Sequence, residues 1–461
     1  MKTKCISMRN TFVAVAILSF ACLTAIAQDY RVLHNFAGGA NDGAKADGSL
    51  ILSGSTLYGM TWQGGSNNLG TVFRMNADGT NFQLLHSFVS ASTDGQKPIG
   101  SLILSGSTLY GMTACENTSY GGTVFQIQTD GSRFSVLHGF SRSEGKWPYG
   151  DLVQSGGMLY GLTPYGGSDT GSGWVGNGTV FQTDTNGTGF QVLHTFAGSP
   201  GDGGSPHGSL IQSGSILYGM TVVGGSNDNG TIFKINTENT NYQILHTFTG
   251  GTNDGSGPTM NRLVLSGSTF YAETSGGGSN TNGTVFRMNT NGNDFALLHS
   301  FTGTDGQLPE GGVILSGSTL YGMALAGGTG WNGSLNSGNG VIYQIGTNGT
   351  GFQLLHKFAG GANDGAKPNG SLLLSGSTLY GMTGSGGSHN LGVIFALDLF
   401  PKLAVTLSGT NLNLAWSTNY PDFVLEGADQ LDGTWTSIPG VTGYSATLPV
   451  GAESQFFRLR K

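Results

Sequence analysis

Apolar and polar residues alternate in short runs along most of this chain, and glycine, serine, asparagine and aspartate separate the runs. In "SLILSGSTLYGMT", Ser49 to Thr61, apolar flanks enclose a Ser-Gly-Ser turn, which predicts a β-hairpin. The next stretch, "GTVFRMNADGTNFQLLHSF", predicts a second hairpin that turns at Asn76 to Thr80. No helical period accompanies them, so one unit supplies four short strands.

The unit recurs. A Leu-His dipeptide marks it at His34, His86, His138, His194, His246, His299 and His356, with spacings of 52, 52, 56, 52, 53 and 57 residues. The tyrosines Tyr58, Tyr110, Tyr160, Tyr218, Tyr271, Tyr321 and Tyr380 give the same count of seven. Four strands per period of this length predict a β-propeller, as in kelch-like and WD40 repeats, so the expected fold is all-β with seven blades. The opening strand "YRVLHNF" lacks its first three partners and the last unit lacks its fourth strand, so the N-terminal strand is expected to complete the last blade. The expected organisation is a signal peptide over 1–27, the propeller over 28–398 and a C-terminal module over 399–461. In that module six alternating stretches with Trp416 and Trp435 predict a small β-sandwich, which resembles a shortened fibronectin type III-like domain and suits spacing, sorting or surface attachment.

The unit "LHsF…DG…P…GSLILSGSTLYGMT…GG…GTVF…DGT.F..LH" resembles the GloVer tandem repeat of secreted bacterial proteins over nearly all of residues 30 to 397. That resemblance implies an exported, propeller-like protein, often with a separate C-terminal sorting or anchoring segment. It implies no activity and brings no catalytic residues with it.

Composition narrows the partners. Lys2, Lys4 and Arg9 precede an apolar run that ends at Ala25-Ile26-Ala27, the pattern of a cleaved secretory leader, which predicts a secreted or cell-surface protein. Its removal would take the formal charge from −7 to about −10, which disfavours nucleic acid and anionic membranes. Cys5 and Cys22 would leave with it and Cys115 alone would remain, so no disulfide frames the fold. The 82 glycines punctuate turns between apolar positions of fixed phase, unlike a disordered linker.

Three sets of residues are candidates for chemistry. The histidines alternate with Phe and Leu on one strand face, which makes them packing residues. The inter-blade loops carry an acid at Asp42, Asp94, Glu144, Asp202, Asp254, Asp305 and Asp364, with proline four residues later in six of seven. Turn chemistry explains that pattern, and the alternative use of the aspartates is oxygen-rich Ca²⁺ binding. No motif requires a cofactor. Trp62, Trp147, Trp174 and Trp331 fall in loops of one face, where indoles flanked by amides and hydroxyls suit stacking on a sugar ring. The expected function is noncatalytic binding of an extracellular glycan or protein by a monomer without membrane insertion. The alternative is a carbohydrate-active hydrolase or lyase on the same face, although the chain carries no nucleophile elbow, zinc motif or phosphate loop.

Overall fold

The structure, a computed structural model, describes residues 6–7, 30–89, 94–114, 121–167, 175–238, 240–260, 262–400, 403–416, 423–430, 433–450 and 455–460. Apart from Ile6–Ser7, the expected leader lies outside the described residues, as do Cys115 and Trp174. The chain divides into two compact units, one of Val32–Leu374 with Tyr380–Phe395, the other of Met1–Arg31, Ser375–Leu379 and Ala396–Lys461. Among the described residues no helix is long and apolar enough to cross a membrane.

The larger unit is all-β and propeller-like. Its first complete sheet runs Ile51–Ser53, Thr56–Thr61, Thr71–Asn76 and Gln83–Ser87, each strand antiparallel to the next, and the same order recurs along the chain. Gly54 takes a φ of 59° in the tight first turn, a conformation cheap only for glycine. Pairing of Thr56–Thr61 with Thr71–Asn76 is in register from Thr56↔Asn76 to Thr61↔Thr71, and the outer strand enters through a bulge between Val72 and Phe73.

The core lies between successive sheets. Tyr58, Met60, Val72 and Phe88 of one repeat pack on Leu102, Leu109, Phe125 and Ile127 of the next, and the pattern repeats around the unit. At the seam, Phe36 N–H donates to Gly392 O at 3.1 Å and Lys45 N–H to Leu391 O at 2.8 Å, and Tyr30–Asn35 forms the outer strand of the last repeat's sheet.

At the opposite ends of the sheets from the Ser-Gly-Ser turns, backbone packs on backbone around a narrow channel. Ser49 N–H donates to Ser101 Oγ, Ser101 N–H to Asp151 Oδ1, Asp151 N–H to Ser209 Oγ, and Ser371 N–H back to Ser49 Oγ, at 2.6–2.8 Å. The Ser371–Ser49 bond makes the first and last repeats neighbours.

The smaller unit contains two sheets. One joins Ala404–Ser408, Asn411–Ala415 and Ser445–Pro449; the other joins Val424–Ala428, Thr436–Ser437 and Phe456–Arg460, with Ile6–Ser7 beside the last strand. Leu412, Leu414, Trp416, Leu425, Ala446 and Phe457 form its core.

Candidate functional site at the channel mouth

The repeated acids are scaffold. Asp42, Asp202, Asp254, Asp305 and Asp364 each meet their repeat's histidine Nε2 at 3.0–3.2 Å, and Asp94 meets His86 at 2.6 Å. Glu144 stands 3.4 Å from His138. The same carboxylates cap backbone: Asp202 accepts from Ala197 N–H at 2.8 Å and from Gly203 N–H at 2.7 Å. Burial alone would raise the Asp202 carboxyl, but the His194 bond and the Ala197 amide outweigh it and hold it below the usual range, and Asp254 and Asp305 follow suit. Six of the histidines, His34 to His299, then stack on an aromatic of the following repeat, His34 on Phe82 at 3.9 Å and His86 on Phe134 at 3.9 Å. One acid thereby fixes a loop, an imidazole and the neighbouring sheet. Among the described residues no group of three or more His, Cys, Asp or Glu is placed to hold a metal ion.

The three described candidate tryptophans each have their own surroundings. Trp62 is partly buried beneath two ammonium groups, Lys45 Nζ at 5.9 Å and Lys97 Nζ at 5.2 Å from its ring centre. Trp147 meets Tyr165 edge-on at 5.7 Å. Trp331 packs against Gly303, where a Cβ would come within 2.2 Å of its ring, and its Nε1 is buried without a hydrogen-bond partner.

At the channel mouth one loop position differs in every repeat. Five residues after each acid the chain reads Asp47, Ile99, Tyr149, His207, Thr259, Glu310 and Asn369, seven different side chains at one repeated position. Five of them, Asp47, Ile99, Tyr149, Glu310 and Asn369, line a single hollow that encloses about 20 Å³, together with Asp151, Met260 and Arg262. What positions them is uniform. Two residues earlier the backbone turns through positive φ, from Lys45 at 53° to Trp147 at 58°, and that residue's N–H is tied to the preceding repeat, Lys97 to Leu69 O and Ser205 to Asn177 O.

The mouth is electrostatically uneven. Burial pushes the Asp47 carboxyl up to about 6, against its bond with the Asn369 amide and the charge of Lys45. Burial and the charge of Asp47 push Glu310 up to about 7, against Lys367. Burial holds the His207 imidazole down at about 4, where Ser205 Oγ lies 3.0 Å and Tyr165 OH 3.4 Å from Nε2. Both carboxyls therefore change charge close to neutrality.

A sequence model of the Gloeobacter/Verrucomicrobia repeat matches residues 20–177 and 165–336, well over half the chain. This chain belongs to that repeat family. No curated protein matches it by sequence. Among solved structures, an oligogalacturonate lyase from Vibrio parahaemolyticus is similar at 10% identity and a TM-score of 0.49, over 86% of this chain and 97% of that one. A putative 6-phosphogluconolactonase from Bacteroides fragilis is similar at 16% identity and 0.42, over 88% and 99%. These likenesses are too distant to argue function.

Two departures from the Gloeobacter/Verrucomicrobia repeat escaped the sequence reading. In the fifth repeat nine residues separate Asp254 from Leu263, where Asp42 and Leu50 are separated by eight; the added residue brings Arg262 to the position of Ser49. In the same repeat Glu273 replaces the methionine of "LYGMT" and accepts from Gly312 N–H at 2.8 Å and from the hydroxyl of Tyr343, which itself replaces a phenylalanine. Counting residues between fixed marks would have found both.

Proposed function

We propose that this protein is an exported, noncatalytic binding module, a seven-bladed β-propeller with a small C-terminal β-sandwich, that takes an extracellular ligand at the channel mouth. One observation carries the reading. Seven different side chains stand at one repeated loop position and five of them border one hollow, where a purely structural role has no need of seven different residues. The hollow encloses about 20 Å³, room for one water, so a ligand would cover its mouth from outside and not enter it.

The test is a glycan array with the chain from residue 28, read for both binding and cleavage, comparing wild type with Tyr149→Ala plus Asn369→Ala. Binding lost in the double variant at unchanged circular dichroism supports the mouth as the site. Binding retained there would move the ligand to the tryptophan loops, and an array without signal would count against glycans. A carbohydrate-active enzyme is the second reading, favoured by Asp47 and Glu310, nonrepeated acids whose carboxyls titrate near neutrality. Cleaved product would install it.

A further inference from the structure

Around the channel one position of each repeat can supply a link of the relay, and it holds a short oxygen at Ser49, Ser101, Asp151, Ser209 and Ser371. The fifth repeat puts Arg262 there and the sixth Gly312, so the preceding amides find no short side-chain acceptor. Among the described residues the relay stops between Ser209 and Ser371, and Gly312 N–H turns to Glu273 Oε2 at 2.8 Å. Arg262 meets the break differently. Its backbone bridges in parallel to Ser209, and its side chain, 34% exposed, turns the guanidinium toward Asp151 of the third repeat. Nη1 stands 3.9 Å from Asp151 Oδ2, an ion pair too long for a direct hydrogen bond. Asp151 Oδ1 is committed to Ser101 N–H at 2.6 Å, and Arg262 Nε is buried with no hydrogen-bond partner in the protein. Both residues border the hollow of about 20 Å³, which has room for one water and nothing larger. Glu310 borders it too, and among the described residues no group donates a hydrogen bond to its carboxyl.

We infer that this hollow is the binding site of one ordered water, which joins the Arg262 guanidinium to Asp151 and links the third repeat to the fifth where the relay is broken. The water accepts from the guanidinium and donates one hydrogen to Asp151 Oδ2 and the other to the Glu310 carboxyl. Three partners are the usual complement of a buried water, and an ion pair spread beyond direct reach is where such a bridge belongs. It supplies the short oxygen that the fifth repeat lacks. A metal cation is disfavoured at the same place, because the guanidinium already brings the positive charge. Among the described residues no group of three or more His, Cys, Asp or Glu is assembled to hold one. What fills the hollow is independent of what covers it, so this site stands whether or not the binding reading does.

The experiment is a crystal structure of the chain from residue 28, at a resolution that shows ordered water, for wild type and for Arg262→Met. Methionine is unbranched and fills much of the same space but offers no donor. In wild type a water is expected within about 2.7–3.2 Å of an Arg262 nitrogen and of Asp151 Oδ2, and it is expected to be lost in Arg262→Met. Melting temperatures give a second measure. Arg262→Met and Asp151→Ser each remove one end of the bridge, and the serine keeps an acceptor for Ser101 N–H as in four of the aligned repeats. The double variant should therefore lose less than the sum of the single losses. A wild-type hollow without water would overturn the site, as would a direct Arg262–Asp151 hydrogen bond that closes the gap. So would an ion with contacts of about 2.4 Å to the carboxylates, a water that persists unchanged in Arg262→Met, or strictly additive losses. Should a variant fail to fold, the wild-type map alone decides.

Discussion

At the residue scale the acid of each repeat has its oxygens already committed. Asp94 bonds His86 and the Val89 amide from a nearly buried position. Asp94→Ala should therefore cost about 1–2 kcal/mol, seen as a lower denaturation midpoint, since a half-buried imidazole and a loop amide lose a charged partner. The calcium expectation meets the same chemistry: a carboxylate spent on His and N–H donors has little to give a cation, so EDTA should leave the melting temperature within a degree or so of its starting value. A drop on chelation would restore calcium to these loops. Glu273 behaves in the opposite sense. Burial pushes its carboxyl from 4.5 up to about 8, against its bonds to Tyr343 and Gly312. The folded state thus holds a proton that the unfolded state releases, so the stability it contributes is present in full below pH 4.5 and is lost as pH rises toward 8. Melting temperature should fall between pH 5 and 8, and Glu273→Gln should flatten that slope. An unchanged slope in the variant would assign the proton elsewhere.

At the scale of elements, the channel loops depend on having no side chain at all. A Cβ on Gly150 would lie 2.0 Å from Gly208 O, backbone against backbone, with nothing flexible to yield. Gly157, with no atom within 4 Å of its virtual Cβ, is the control. Gly150→Ala is expected to destabilise by about 3 kcal/mol, the upper range of overpacking, and Gly157→Ala by a few tenths at most, as urea midpoints would show. These loops also show how much the sequence disclosed. Hairpins were legible because apolar alternation and Gly-Ser turns leave little choice of period or register. The histidines pack where alternation puts them, but their acids stand eight residues on at Asp42, Asp94, Asp202, Asp254 and Asp364, and a pairing across a loop has no local signature until the seven copies are aligned. The channel mouth stayed hidden for a related reason: Asp47 and Glu310 are 263 positions apart and meet only because the ring closes. Trp62 and Trp331 drew attention by residue type, whereas the structure spends Trp62 on two lysines and Trp331 on Gly303.

At the scale of the larger unit, closure is the step on which everything at the mouth depends. The row of bonds from Ser49 to Ser209 is joined to the last repeat at its other end, where Ser371 N–H donates to Ser49 Oγ at 2.7 Å. The N-terminal strand secures that return on the outside of the same repeat: Phe36 is wholly buried, its N–H held by Gly392 O, and Asn35 Oδ1 accepts from Ser388 N–H at 3.0 Å. Deleting residues 28–36 would remove this strand and bare the edge of Val393–Phe395, an apolar strand of the kind that pairs with other chains when uncovered. The truncated chain should melt at least ten degrees lower and run as larger species than the full chain on size exclusion. Adding a synthetic peptide of residues 28–37 should restore the full chain's elution volume if the strand acts by closing the sheet. A truncated chain that elutes and melts as the full chain does would mean that the bonds at the channel join the first and last repeats without help.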